Sequence, residues 1–296
     1  MSSIDREIAA QPELWRRSAG LAAELDDVLP APGEQVAVAG CGTSLYIAQA
    51  WAALREEAGH GPTDAFPASE PRAARASDAL VVISRSGTTT EVLRLLDELN
   101  VPRTVAITAD PATPVAARVD RAVALDFADE ESVVQTRFAT SALALLRARA
   151  GGDLDRAAAD AETALAAPLP VQPSEIGQWV FLGRGWTVGL AAEAALKLRE
   201  AAQAWTEHYP ALEFRHGPIS AVSDSTVVWS MDPLDDDLRR DVEVTGARLV
   251  EPELDPMASL VLAQRTAVAL ARERGLDPDR PQHLTRSVIL SQGVTR

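Results

Sequence analysis

Short apolar runs alternate along this chain with longer stretches whose apolar residues recur at helical spacing. Residues 4–29 have the helical pattern, rich in Ala, Leu and Glu, and Pro30-Ala31-Pro32-Gly33 ends it. A β-branched run at 35–39 then stops at Gly40-Cys41-Gly42-Thr43-Ser44, and a helical stretch at 45–58 follows directly. The same order repeats at once: an apolar run at 79–83, the turn Ser84-Arg85-Ser86-Gly87-Thr88-Thr89, then a helix over 90–99. Strands are predicted at 103–108 and 121–125, and a helical region at 132–165 broken by Gly151-Gly152. The Pro-rich segment 168–173 reads as a linker. Beyond it the pattern restarts: a strand at 178–182, the turn Gly183-Arg184-Gly185 and a helix at 188–205. Strands near 226–230 and 247–250, a helix at 256–274 and a Pro-punctuated tail at 277–296 complete the chain.

Strands alternating with helices over short connections predict an α/β fold with parallel sheets. The restart after the linker predicts two copies of one α/β unit, visible as organisation and not as residue identity. With 296 residues, two domains are also what length alone implies.

Charge narrows the partners. Acidic residues outnumber basic ones 43 to 28, a net charge of -15, where a nucleic-acid or anionic-membrane binder needs a basic face. One cysteine excludes an intrachain disulfide and any multi-cysteine metal site, and no histidine pair has ligand spacing, so neither a metal nor another cofactor is expected. No apolar run reaches the ~18 residues of a membrane span, and the polar N-terminus does not resemble a signal peptide. A soluble, cytoplasmic protein acting on a small molecule is the expectation. Of the 28 basic residues 27 are arginine, so Lys197 stands alone.

Ligands of open parallel sheets bind at the carboxyl ends of strands. Two such ends here bear hydroxyls on glycine turns, Gly42-Thr43-Ser44 and Ser84 to Thr89, and each opens a helix whose N-terminus favours an anion. Ser44 and Thr89 would do no more than cap their helices if either turn stood alone. Two successive turns, the second with four hydroxyls and an arginine, favour a phosphate on a small molecule. No dinucleotide or Walker fingerprint accompanies them. Glu193, Lys197 and Glu200 fall at i, i+4 and i+7 on one helical stripe. Such spacing commonly marks a solvated ion-pair ladder, but the Ala- and Leu-rich surroundings predict partial burial. A carboxylate beside an ammonium stays ionised and can take a proton from carbon. His216, in His216-Gly217-Pro218, sits at a loop-to-helix junction shortly after that helix, whereas His60, His208 and His283 have no comparable setting.

The segments Gly40 to Ser44, Ser84 to Thr89, Glu193 to Glu200 and Glu213 to Pro218, in this order, resemble the sugar isomerase (SIS) domain family. The nearest class is the isomerase half of glutamine–fructose-6-phosphate amidotransferase, with its stand-alone amino-sugar-phosphate deaminase and ketose/aldose isomerase relatives. The resemblance implies two tandem SIS domains, each a parallel sheet flanked by helices, at 35–167 and 174–276. An N-terminal helical segment, 1–34, would precede them and the tail, 277–296, would cross the active site. It also implies that Ser44, Ser84, Ser86 and Thr89 hold a sugar phosphate, with Thr43 nearby and Gln135 and Thr136 on the sugar side. Arg85 stands where the family often has glutamine, which favours an anion. By the same resemblance Glu200 moves a proton between C1 and C2, Glu193 and Lys197 support it, and His216 opens the sugar ring from the neighbouring subunit of a homodimer. Arg286 replaces the Schiff-base lysine of the amidotransferase, and an arginine stays protonated and forms no imine. The glutaminase half and its nucleophilic cysteine are also missing from this sequence. The expectation is therefore an aldosamine-6-phosphate deaminase/isomerase, with a phosphosugar isomerase or a non-catalytic phosphosugar sensor as alternatives.

Overall fold

A computed structural model describes residues 2–70 and 77–290; the end of the expected tail, 291–296, lies outside the described residues. The first sheet contains β1 (Val36–Gly40), β2 (Thr63–Pro67), β3 (Ala79–Ile83), β4 (Thr104–Thr108) and β5 (Arg121–Ala124), all parallel, in the order β2-β1-β3-β4-β5. The second contains β6 (Gln178–Gly183), β7 (Thr206–Pro210), β8 (Thr226–Ser230) and β9 (Arg248–Val250), also parallel, in the order β7-β6-β8-β9. Helices α1 (Ser3–Gly20), α2 (Thr43–Glu57), α3 (Thr90–Glu98), α4 (Arg137–Arg149), α5 (Leu154–Ala166), α6 (Thr187–Ala202), α7 (Asp236–Val244) and α8 (Pro256–Glu273) flank them. The α/β expectation with parallel sheets is met.

Central strands bury both faces, which is why they read as continuous apolar runs. In β1, Val36 and Val38 enter the core between the sheets, while Ala37 and Ala39 pack on the far side with Leu80, Val82 and Ala106. In β6, Trp179 and Phe181 enter that same central core, and Val180 and Leu182 face outward against Phe214, Leu238 and Val242. One contiguous core thus joins the two sheets. The two halves also share a device at the strand-to-helix turn. A Cβ on Gly40 would lie 2.6 Å from the Ser44 carbonyl carbon, and one on Gly183 would lie 2.4 Å from the Thr187 carbonyl oxygen. Only glycine lets the first helical turn close so tightly over the strand end.

Several elements differ from the sequence reading. The first helix ends at Gly20, and one 3-10 turn (Ala22–Leu25) replaces its predicted continuation. This helix packs into the core: Gln11 on α1 donates to Gln264 on α8 at 2.7 Å and accepts from Thr140 on α4 at 2.8 Å. Helix α6 stops at Ala202 because Gln203 turns left-handed, φ 54°. Edge strands β2 and β7 are unpredicted; their mixed polar sequences TDAFP and TEHYP each pair on one side only and end in proline. Helix α7 is also unpredicted, with only Leu238 and Val242 buried.

Candidate active site

The site is built where α2 crosses α6. A Cβ on Gly189 of α6 would lie 2.5 Å from the Tyr46 carbonyl oxygen of α2, so the glycine sets how closely the helices approach. That approach brings Thr43, in the first turn of α2, against the charged stripe of α6. Lys197 Nζ donates to Thr43 Oγ1 at 2.9 Å and to Glu200 Oε2 at 2.6 Å, and lies 3.3 Å from Glu193 Oε1. Thr43 Oγ1 in turn donates to Glu193 Oε1 at 3.2 Å. Glu193 and Lys197 side chains are 1% exposed and Glu200 is 20% exposed. The stripe is therefore a buried network with one solvent-reaching carboxylate, not a surface ladder.

Electrostatics separate the members. Burial pushes the Glu193 carboxyl up to about 7, against the opposing pull of Lys197 and with Glu200 adding to the rise. For Lys197, burial works against the charge, but Glu193 and Glu200 together outweigh it and hold the ammonium above its ordinary value. A charge pair this deep survives only because each partner is hydrogen-bonded in place. Glu193 Oε2 has no hydrogen-bond partner, an orphan acceptor in an otherwise satisfied cluster.

The hydroxyl turn lies beside this network, since Ser44 adjoins Thr43. Ser44, Ser84, Ser86, Thr89, Gln135 and Arg286 line one small cavity of about 30 Å³, with Arg85 and Cys41 on its wall. Neither Ser44 nor Thr89 acts as a plain helix cap: Ser44 lies inside α2 beyond the N-cap Gly42, and the N-cap Thr89 makes no side-chain cap bond. The Cys41 thiol is raised to about 11, chiefly by burial and further by Glu91, and carries no thiolate at neutral pH. Gln135 Oε1 is a second buried acceptor without a partner.

Arg85 departs from the expected anion ligand. Its guanidinium is buried and pairs with Glu130 at 3.4 Å, while its Nη atoms donate to the carbonyls of Ser132, Val133 and Arg286 at 3.0, 3.3 and 3.1 Å. Those bonds tie the hydroxyl turn to the 130–136 loop and to the tail. Glu130 accepts from the backbone N–H groups of Thr136 and Arg137 and from the Thr136 hydroxyl, so Thr136 is a holder of that loop. Arg286 likewise bonds to the Glu130 carbonyl and to Asp129.

The resemblance implied a tail over the site and named Arg286, but not the contacts of Ser287 and Val288. Ser287 Oγ accepts from Thr88 Oγ1 at 2.9 Å and lies 3.2 Å from Ser86 Oγ, and the Val288 carbonyl accepts from Thr90 N at 3.2 Å. A second cavity of about 330 Å³ opens at Glu200, with Arg199, Gln203, Gln282, His283 and Leu284 on its wall. His216 lies between two one-turn 3-10 helices and is exposed outside that cavity. Within one chain the structure does not bring it to Glu200. Two larger clefts, of about 500 and 560 Å³, lack the paired carboxylates. Among the described residues no three His, Cys, Asp or Glu side chains converge as metal ligands do, and no helix is long and apolar enough to cross a membrane.

The SIS domain family model matches residues 31–149, which span the first sheet and both hydroxyl turns. The chain carries a SIS domain. Among relatives of this chain, the glutamine–fructose-6-phosphate aminotransferase (isomerizing) of Methanothermobacter thermautotrophicus is 27% identical over 324 residues, covering 93% of this chain and 54% of its own length. That of Caulobacter vibrioides is 28% identical over 357 residues, covering 97% and 58%. The chain thus spans about half the length of the curated relatives it matches. Among solved structures, glucosamine-6-phosphate deaminase of Thermotoga maritima aligns with TM-score 0.83 and 27% identity over 98% of this chain and 100% of that one. Tagatose-6-phosphate ketose/aldose isomerase of Escherichia coli shares the fold, with TM-score 0.78, 22% identity, and 99% and 97% coverage.

Proposed function

We propose that this protein is an enzyme acting on a phosphorylated hexose or hexosamine, most specifically an aldosamine-6-phosphate deaminase/isomerase that releases ammonia and a ketose 6-phosphate. One observation carries the reading: Lys197 joins the carboxylates of α6 to Thr43, one residue from the hydroxyl turn. An anchor for a phosphate and a base for a C–H bond therefore share one site. Full-length likeness to a glucosamine-6-phosphate deaminase favours the amino sugar.

The hydroxyls of Ser44, Ser84, Ser86 and Thr89 hold the phosphate. Its entry requires the tail at Ser287 to give way, because the cavity there has room for about one water. Binding through the non-reacting phosphate orients the chain of carbons against Glu200. Glu200 takes the proton from C2 of the open-chain aldosamine, giving an enolamine, and returns a proton at C1. The C2 imine that results adds water and expels ammonia, leaving a C2 ketone. Lys197 holds Glu200 in place, and the free acceptors on Glu193 and Gln135 take donors from the sugar. The second half of the chain, 174–276, is read as a second SIS domain, and His216 would reach a site only from another copy in a homodimer.

The test is a panel of hexose and hexosamine 6-phosphates scored for ammonia and ketose. Ammonia with ketose supports the deaminase, and ketose from a hexose without ammonia from a hexosamine makes the protein an isomerase. Tight binding with neither product makes it a sensor and overturns the enzyme reading.

A further inference from the structure

The Thr43 hydroxyl is where the first half of the chain enters the charged network of α6. Lys197 carries three N–H groups, and three acceptors surround it: Glu200 Oε2 at 2.6 Å, Thr43 Oγ1 at 2.9 Å and Glu193 Oε1 at 3.3 Å. The ammonium is therefore saturated, and it lies nearer Glu200 than Glu193. Glu193 is the more deeply buried of the two carboxylates, so its attraction for Lys197 is the less screened by solvent. Thr43 opposes that attraction in two ways. Its oxygen accepts a Lys197 N–H, and its own proton goes to Glu193 Oε1, the oxygen that faces the ammonium. A donor on that oxygen disperses the charge that would draw Lys197 inward. The hydroxyl is held in place, because Thr43 is buried in the first turn of α2 and its branched side chain keeps few χ1 rotamers there. The close approach of α2 to α6 at Gly189 fixes the distance between the two helices.

We propose that Thr43 is a positioning residue for the base: it sets where Lys197 sits between its two carboxylates and thereby where Glu200 points. The inference rests on the phosphosugar reading and deepens it. Without the hydroxyl, Lys197 loses one acceptor and Glu193 Oε1 loses one donor. The ammonium then moves toward Glu193, and its bond to Glu200 Oε2 lengthens. Glu200 is the partly exposed member of the network, and Lys197 is its only side-chain hydrogen-bond partner among the described residues. Loosened there, the carboxylate turns away from the C–H bond it has to break. Thr43 also adjoins Ser44, so the residue that aims the base and a residue of the phosphate anchor are consecutive in one helical turn. The role needs no contact between Thr43 and the reacting carbons.

Lys197 is the only lysine in the sequence, so protein labelled with heavy nitrogen at the lysine side chain gives a single ammonium resonance. Thr43→Val keeps the shape of the side chain and removes the hydroxyl, and Thr43→Ser restores the hydroxyl. In Thr43→Val the resonance should move, and kcat on glucosamine 6-phosphate should fall about 10- to 100-fold, the scale of a misplaced reacting group. KM, and the Kd of inorganic phosphate from calorimetry, should stay within about threefold, because the anchor is untouched. Retained phosphate binding also verifies that the variant folds. Thr43→Ser should return the resonance and recover most of the turnover. A resonance that moves with no change in kcat, a loss that serine does not restore, or a fall in phosphate affinity along with turnover overturns the inference. A wild type that turns over while Thr43→Val matches it sinks only this inference. A wild type inert on hexose and hexosamine 6-phosphates alike overturns the phosphosugar reading and this role of Thr43 with it.

Discussion

The turn after β3 and the turn after β8 occupy the same place in their sheets, each following the strand beside the first one of its half, yet they have opposite chemistry. The first is Ser84 to Thr89, with hydroxyls bonded among themselves and to Ser287. The second carries Asp232, Asp235, Asp236 and Asp237 at the start of α7. Asp232 accepts from Arg184 N at 3.2 Å and from the Thr187 hydroxyl, and Asp235 pairs with the Arg184 guanidinium at 2.6 Å, which holds its carboxyl below the usual range. The positive end of α7 is thus answered by the chain's own carboxylates. A helix N-terminus on this scaffold favours an anion in general, and the side chains decide whether that anion comes from outside. The second half has carboxylates in place of hydroxyls at this turn and carries the carboxylates and lysine of α6.

The comparison breaks most severely at Lys197, where the halves meet. Lys197→Met leaves Glu193 buried without its counter-charge and should cost about 3 kcal/mol or more in urea unfolding, and it should remove turnover. Stability within about 1 kcal/mol of wild type would mean the halves are not joined there. Next comes Gly189→Ala, whose Cβ would press on the Tyr46 carbonyl and the Ala50 N–H. It should cost about 1–3 kcal/mol and lower activity by moving α2 from α6, as urea midpoints and kcat would report. The two turns then separate in a binding assay. Ser86→Ala should raise the phosphosugar KM about tenfold or more, the worth of a hydrogen bond to a charged group. Asp235→Ser, which breaks only an exposed ion pair, should leave KM within about twofold.

A further effect is a pH dependence. Because burial raises Glu193 from 4.5 to about 7, the folded protein binds this proton more tightly than the unfolded chain does. Its contribution is complete below about pH 4.5 and is lost as pH rises to about 7. Urea unfolding at pH 5 and pH 7.5 should show wild type losing more stability over that interval than Glu193→Gln. Equal losses would remove Glu193 from this role.

Which parts were legible in the sequence follows from the range of the interactions. The hydroxyl turns and the α6 stripe are local patterns, set by a few residues of spacing, and both are where spacing placed them. Arg85 misled because its partner Glu130 is 45 residues away and its tail contact at Arg286 is 201 away. The contacts of Ser287 gave no local signal, since bonds from Arg286 to Asp129 and the Glu130 carbonyl, more than 150 residues away, hold the tail at the site. Strands β2 and β7 were hidden because an edge strand needs little apolar content, and α7 because its exposed face is largely acidic.

Substituting Glu200 by glutamine tests the central claim most directly, because it removes the base and leaves the hydroxyl turn untouched. Ammonia and ketose release from glucosamine 6-phosphate should fall by about 10³-fold or more, while the phosphosugar Kd from calorimetry stays within about threefold. Turnover that survives, or affinity that falls along with it, would contradict the division of labour between the two halves.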